Sequence, residues 1–203
     1  MTLSGELIDL TLEHLLLVGV AMLIAATLAL PAGILVTRRR WLRRWLLGFA
    51  NVVQTVPSLA LFGFLIPIPL IGGIGPHTAI IALVLYALLP MLRNTVTGIL
   101  AVEPSVRDSA VALGMTDRQV LWQVELPLAA PTILAGVRIA TVATIGTATI
   151  AAAIGAGGLG VLIFRGLATV DSGLLLSGAI PAALMAVSAD RGFEWLERVY
   201  APA

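Results

Sequence analysis

Few residues in this chain can do chemistry. All twelve Lys and Arg positions are Arg, which excludes a GxxxxGK[ST] phosphate loop and a Schiff-base lysine. With no Cys there is no disulfide, thiol nucleophile or cysteine metal cluster. His14 and His77 stand alone, too few for a histidine metal site, so no metal is expected. The polar residues set in apolar sequence are Asn51, Gln54, Thr55, Tyr86 and Asn94, with Arg93 close by. Such residues usually face a bundle interior or a water-filled cavity, which makes these five candidates for a substrate pathway. Hydrogen bonding between helices without any substrate is the competing reading. No paired carboxylates, metal ligands or Ser/His constellation lie at depth, so no catalytic residue is expected and the chain does not read as an enzyme.

The elements that must hold these residues are apolar. Of 203 residues 59% are hydrophobic and 11% charged, and the mean hydropathy is +1.04. A soluble domain carries about 25% charged residues. The deficit excludes an ordinary water-soluble globule and implies an all-α integral membrane protein. The first fourteen residues hold Glu6, Asp9 and Glu13 but no basic residue, the reverse of a secretory signal, so the first apolar run is expected to stay in the mature protein. Hydropathy places five spans at about 15–36, 46–66, 76–98, 130–153 and 173–189, and a single membrane domain accounts for residues 1–203.

Arginine sets the orientation. The run Arg38-Arg39-Arg40 puts the end of the first span in the cytoplasm, with the N-terminus outside and the C-terminus cytoplasmic. Eleven of the twelve arginines then lie in or near cytoplasmic segments, leaving only Arg165 outside. Trp41, Trp45, Trp122 and Trp195 fall on the same side, as interfacial tryptophans do. Arg138 is expected to snorkel to that interface. His77 reads as a solvated outer-loop residue, and Arg165 and Asp171 as ordinary outer charge. Pro31, Pro57, Pro90 and Pro181 read as kinks rather than hinges. In the fourth span Gly136, Ala140, Thr144, Ala148 and Ala152 recur every four residues, with Ala143, Thr147 and Ala151 beside them. Small residues on one face allow close helix approach, inside the bundle, at a subunit interface or along a pathway.

The loop at about 99–129 is polar and too long for a simple turn. Pro104 and Ser105 suit a helix start, with Ser105 placed to cap it. Gly114 suits the end of that helix, where a left-handed residue is needed. Thr116 and Asp117 then start a second helix, expected to run to Leu126 before Pro127 breaks it. Two short helices around a glycine elbow suit either a docking element or a solvated interfacial loop.

Within this loop Asp108-Ser109-Ala110, three residues, Gly114, nine residues and Val124-Glu125-Leu126-Pro127 resemble the cytoplasmic signature of ABC importer permeases. That signature is Glu-Ala-Ala, three residues, Gly, nine residues, then Ile-x-Leu-Pro. Asp108 and Ser109 depart mildly from it, which bears on docking strength. Further stretches are similar to the osmoprotectant permeases for glycine betaine, carnitine and choline. They are Gln54 to Leu61, Tyr86 to Thr95 and Ile145 to Ala151. The glycine run Ile154 to Gly160 fits them too, but methionine-type importers share it.

The resemblance implies a type I ABC importer permease fold in the bacterial cytoplasmic membrane. It implies two permease chains, identical or paralogous, two separate ATPase subunits beneath them, and an extracytoplasmic substrate-binding protein. Asp108, Ser109, Ala110, Gly114, Val124, Leu126 and Pro127 would form the ATPase-coupling loop. No cofactor is expected in this chain, ATP and Mg being bound by the partner ATPase, and no nucleic acid is involved. Aromatic cages hold quaternary ammonium groups best, yet within the spans only Phe49, Phe62, Phe64 and Tyr86 are aromatic. Selectivity is therefore expected mainly in the binding protein. A methionine or other amino-acid importer is the alternative.

Overall fold

The computed structural model describes residues 3–69 and 71–200, and among these there are helices and no strands. Helix α1, Leu3–Thr37, is apolar on every side from Leu15 onward, as a lipid-spanning helix must be. It begins earlier than expected because Glu6, Asp9 and Glu13 extend the same helix beyond the apolar run.

The second span is not one rod. Helix α2, Arg40–Thr55, and helix α3, Ser58–Leu65, meet at 103°. Pro57 lacks an N–H and its ring forces the preceding residue out of the helical region, so Val56 is extended at φ −71° and ψ 130°. The freed Val56 carbonyl accepts the Tyr86 hydroxyl. Helix α4, Pro76–Leu100, matches the expected third span. Helix α5, Pro104–Ala112, follows it.

Helix α6 runs unbroken over Asp117–Ile154. Pro127 was expected to end a short helix, and it does not. A π-helical turn at Leu121–Glu125 widens the helix ahead of it, with Leu126 N–H donating five residues back to Leu121 O. That extra width absorbs a residue that has no N–H and a bulky ring. Helix α7, Gly160–Thr169, is short. Helix α8, Ser172–Tyr200, extends well past the apolar stretch.

Helix α4 is the buried centre, gripped by glycine on two sides. A Cβ on Gly33 of α1 would lie 2.8 Å from Thr95 Cβ. A Cβ on Gly136 of α6 would lie 2.5 Å from Asn94 Cβ and 2.8 Å from the Pro90 carbonyl. Gly136, Ala140, Thr144 and Ala148 are all buried, so the four-residue row serves packing inside the chain. Of its neighbours Ala143 is exposed, Thr147 half-buried and Ala151 buried. Arg138 does not reach freely into the interface. Its Nε lies 3.3 Å from Glu197 and 3.6 Å from Asp190, tying α6 to α8.

At the end of the bundle remote from α5, the start of α1 clasps the turns between α6 and α7. His14 is fully buried, and its Nε2 donates to the Ile145 carbonyl at 3.1 Å. Glu13 accepts the Gly158 N–H at 2.9 Å, and Arg165 pairs with Glu6 at 2.8 Å. Gly155, Gly157 and Gly158 all have positive φ, which lets the chain turn here between α6 and α7. His77 is exposed as expected, but it lies in the first turn of α4 rather than in a loop.

Candidate functional site: the α5 docking element and the exposed polar face

Helix α5 is short and stiffly terminated. Pro104 occupies its first turn, where a missing N–H costs nothing. Glu103, not the expected Ser105, is its N-cap, and it makes no side-chain cap bond; Ser105 is the second residue of the helix and accepts at its carbonyl from Ser109 Oγ at 2.8 Å. At the other end Met115 N–H donates to Ala110 O and Gly114 N–H to Val111 O, a Schellman closure. Gly114 has φ +86°, the conformation that closure requires. Thr116 then opens α6 with a capping box. Its Oγ1 accepts Gln119 N–H at 3.4 Å, and Gln119 Oε1 accepts Thr116 N–H at 2.8 Å.

The faces of α5 divide sharply. Ala110 is buried against the bundle, whereas Asp108, Ser109 and Gly114 are exposed. Leu113 is 84% exposed and Val111 51% exposed. Apolar side chains held out from an ordered polar helix mark a contact surface. Val124 and Leu126 are half-buried and Pro127 is exposed, so these three belong to the root of α6 rather than to the protruding surface.

The residue that ties this element to the bundle is Glu125, which occupied an unassigned position between Val124 and Leu126. It is buried, and both carboxylate oxygens are taken by arginine. Arg38 Nη2 donates to Oε2 at 2.6 Å, and Arg107 Nε lies 3.6 Å from Oε1. Arg38 ends α1 and Arg107 sits on α5, so one carboxylate at the root of α6 joins three elements. The available sequence signal was a lone acid in a stretch of aromatic and apolar residues.

The five pathway candidates separate. Asn51, Gln54 and Thr55 lie on the exposed side of α2, where Asn51 Oδ1 accepts from Arg93 Nη2 at 3.3 Å. Arg93 itself is exposed, in the middle of α4. Tyr86 turns to the α2–α3 corner, and Asn94 donates to the Pro90 carbonyl at 2.8 Å beside Gly136. Three candidates and Arg93 thus share an open polar face, while Tyr86 and Asn94 serve contacts within the chain. Among the described residues no cluster of His, Cys, Asp or Glu suits a metal ion.

The family of binding-protein-dependent transport system inner membrane components matches residues 18–201. The chain belongs to this family. It is therefore a multi-pass inner-membrane protein and an ABC transporter permease. The choline transport system permease protein OpuBD of Bacillus subtilis is 47% identical over 191 residues, 94% of this chain and 83% of that protein. The osmoprotectant import permease protein OsmW of Salmonella typhimurium is 43% identical over 201 residues, 98% of this chain and 94% of its own. Among solved structures, an inward-facing MetNI methionine ABC transporter chain is similar with TM-score 0.85 and 20% identity, each chain covered in full. An amino acid ABC transporter with histidines gives 0.78 at 19% identity, over 96% of this chain and 94% of that one. At those identities the likeness shows the type I permease fold alone.

Removing the acid that two arginines share tests the junction. Stranding a buried charge costs about 3–5 kcal/mol. Here the stranded groups are half-exposed arginines, so Glu125→Gln is expected to cost about 1–3 kcal/mol. Thermal unfolding of the detergent-solubilised chain checks this. Glu125→Gln should lower the midpoint more than Arg107→Gln alone, and an unchanged midpoint would remove the junction from the account.

Proposed function

We propose that this chain is a translocating half of an ATP-driven importer for osmoprotectants of the quaternary-ammonium type, such as glycine betaine, carnitine or choline. The observation that carries the substrate class is the 41–47% identity to permeases of that class over nearly the whole chain. We assign the N-terminus to the outside and the C-terminus to the cytoplasm; the arginine-rich end of α1 lying with α5 at one end of the bundle supports this.

The chemistry of the power stroke belongs to separate subunits. The chain has no lysine and no phosphate loop, so ATP and Mg are assigned to a partner ATPase. Exposed Leu113 and Val111 on α5, flanked by Asp108 and Ser109, suit a groove on that partner. When the ATPases close on ATP, α5 moves as a rigid piece, and the Glu125 junction passes the displacement to α1 and α6 together. The bundle then switches between two packed arrangements. Asn51, Gln54, Thr55 and Arg93 face a second permease chain across the pathway, which explains polar groups on an outer face of apolar helices. Few aromatics line that face, so the path binds weakly and the extracytoplasmic binding protein supplies most selectivity.

Two experiments test this reading. The binding protein that serves this permease should bind betaine, carnitine or choline by calorimetry; tight methionine binding with no response to these would assign the amino-acid class instead. At α5, Gly114→Val should impose about 1–3 kcal/mol of backbone strain, since no atom stands within 4 Å of the new Cβ. Uptake in cells should fall while membrane insertion is retained, and normal uptake would end the account of Gly114 as a rigid terminator.

A further inference from the structure

The junction of α1 and α2 carries the most concentrated charge in the molecule. We propose that Arg39, Arg40, Arg43 and Arg44, with Trp41 and Trp45, form a docking surface for anionic phospholipid headgroups.

Among the described residues the charge has no answer. No Asp or Glu occurs between Glu13 and Glu103. Among the described residues Arg38, Arg107, Arg138, Arg165, Arg191 and Arg198 form ion pairs, and these four do not. Arg39, Arg40 and Arg44 are exposed and Arg43 is half-buried. Four guanidinium groups within six positions repel one another, and planar forks of this kind match phosphate oxygens bidentately.

The aromatic residues select which source of phosphate. Trp41, Trp45 and Phe49 recur every four residues on α2 and are 73%, 64% and 56% exposed. The two indoles meet edge to face with centroids 6.3 Å apart. Exposed Val52 continues this ridge along the helix, away from the arginines. A charged end joined to an apolar ridge is the pattern of a helix whose ridge lies at the acyl boundary and whose cations reach the headgroups. A soluble partner seated on the arginines would have to follow the ridge to bilayer depth, which a lipid does naturally. The side preference of arginines alone accounts for neither the tryptophan pair nor the ridge.

The test reads the tryptophans directly. In a Trp122→Phe, Trp195→Phe background, with tryptophan removed from the ATPase, only Trp41 and Trp45 report. The chain, in complex with its ATPase, is placed in phosphatidylcholine vesicles containing a minor fraction of brominated phosphatidylglycerol or, separately, of brominated phosphatidylcholine. Quenching by the anionic lipid should be several-fold greater at equal fraction and should decline with salt. R39Q/R40Q/R43Q/R44Q should abolish that preference. If the quadruple variant fails to insert, R43Q/R44Q is read in the same way and should at least halve it. Equal quenching by the two lipids overturns the proposal. So does a preference that survives the substitutions, including the case in which they release the ATPase and leave lipid quenching unchanged, which assigns the arginines to the motor.

Discussion

One buried carboxylate shared by two arginines holds α5 to the rest of the bundle. Taking Glu125 out of water is costly, and the cost is offset only because both oxygens meet guanidinium groups that keep partial access to solvent. Arginine suits this position better than lysine, since its rigid fork keeps its geometry while sharing an acid. Without the junction, α5 would be nine residues held by its caps and by Ala110 alone. Helices that short are marginal on their own. The junction turns a short surface helix into an extension of the bundle.

The opposite end shows the same economy of means. Glu13 and His14 fasten the start of α1 to the last turns of α6 and the glycine run, so α1 is tied to α6 at both ends. Between these ties α4 is wedged by Gly33 and Gly136, where backbones come too close for any side chain. Helices α1, α4 and α6 therefore form a unit that can move as one. The α2–α3 corner, bent at Pro57, is fastened to it by the Tyr86 hydroxyl. The polar face of α2 and α4 lies open on the outside of this unit, where another chain or water must meet it.

Much of this was legible in the sequence, because spans and turn chemistry are local. Hydropathy located the helices, Gly114 announced a left-handed terminus, and Thr116 a helix start. What escaped was set by pairs distant in sequence or by departures from regular helix geometry. Pro127 reads as a breaker until a π turn gives it room, and Pro57 reads as a kink until the 103° angle between α2 and α3 shows the size of the bend. Arg138 looked free to snorkel because Asp190 and Glu197 are remote along the chain. Glu125 was hidden for the same reason, since nothing local says that Arg38 and Arg107 converge on it. The partners of Asn94 and Tyr86 within the chain were hidden too, because polarity alone does not tell which side of a helix a neighbour occupies.

The central claim is that α5 and the end of α1 move as one body during the transport cycle. The absence of cysteine makes this directly measurable, because two introduced cysteines are the only labelling sites in this chain, which is labelled before assembly. Spin labels at Ser105→Cys on α5 and Leu35→Cys on α1, both exposed positions outside the surface assigned to the ATPase, report their separation in the assembled transporter. The account predicts the same narrow distance distribution in the nucleotide-free and ATP-bound states, broadened by Glu125→Gln. A wild-type separation that shifts when ATP binds would show that α5 moves independently of α1, and would contradict it.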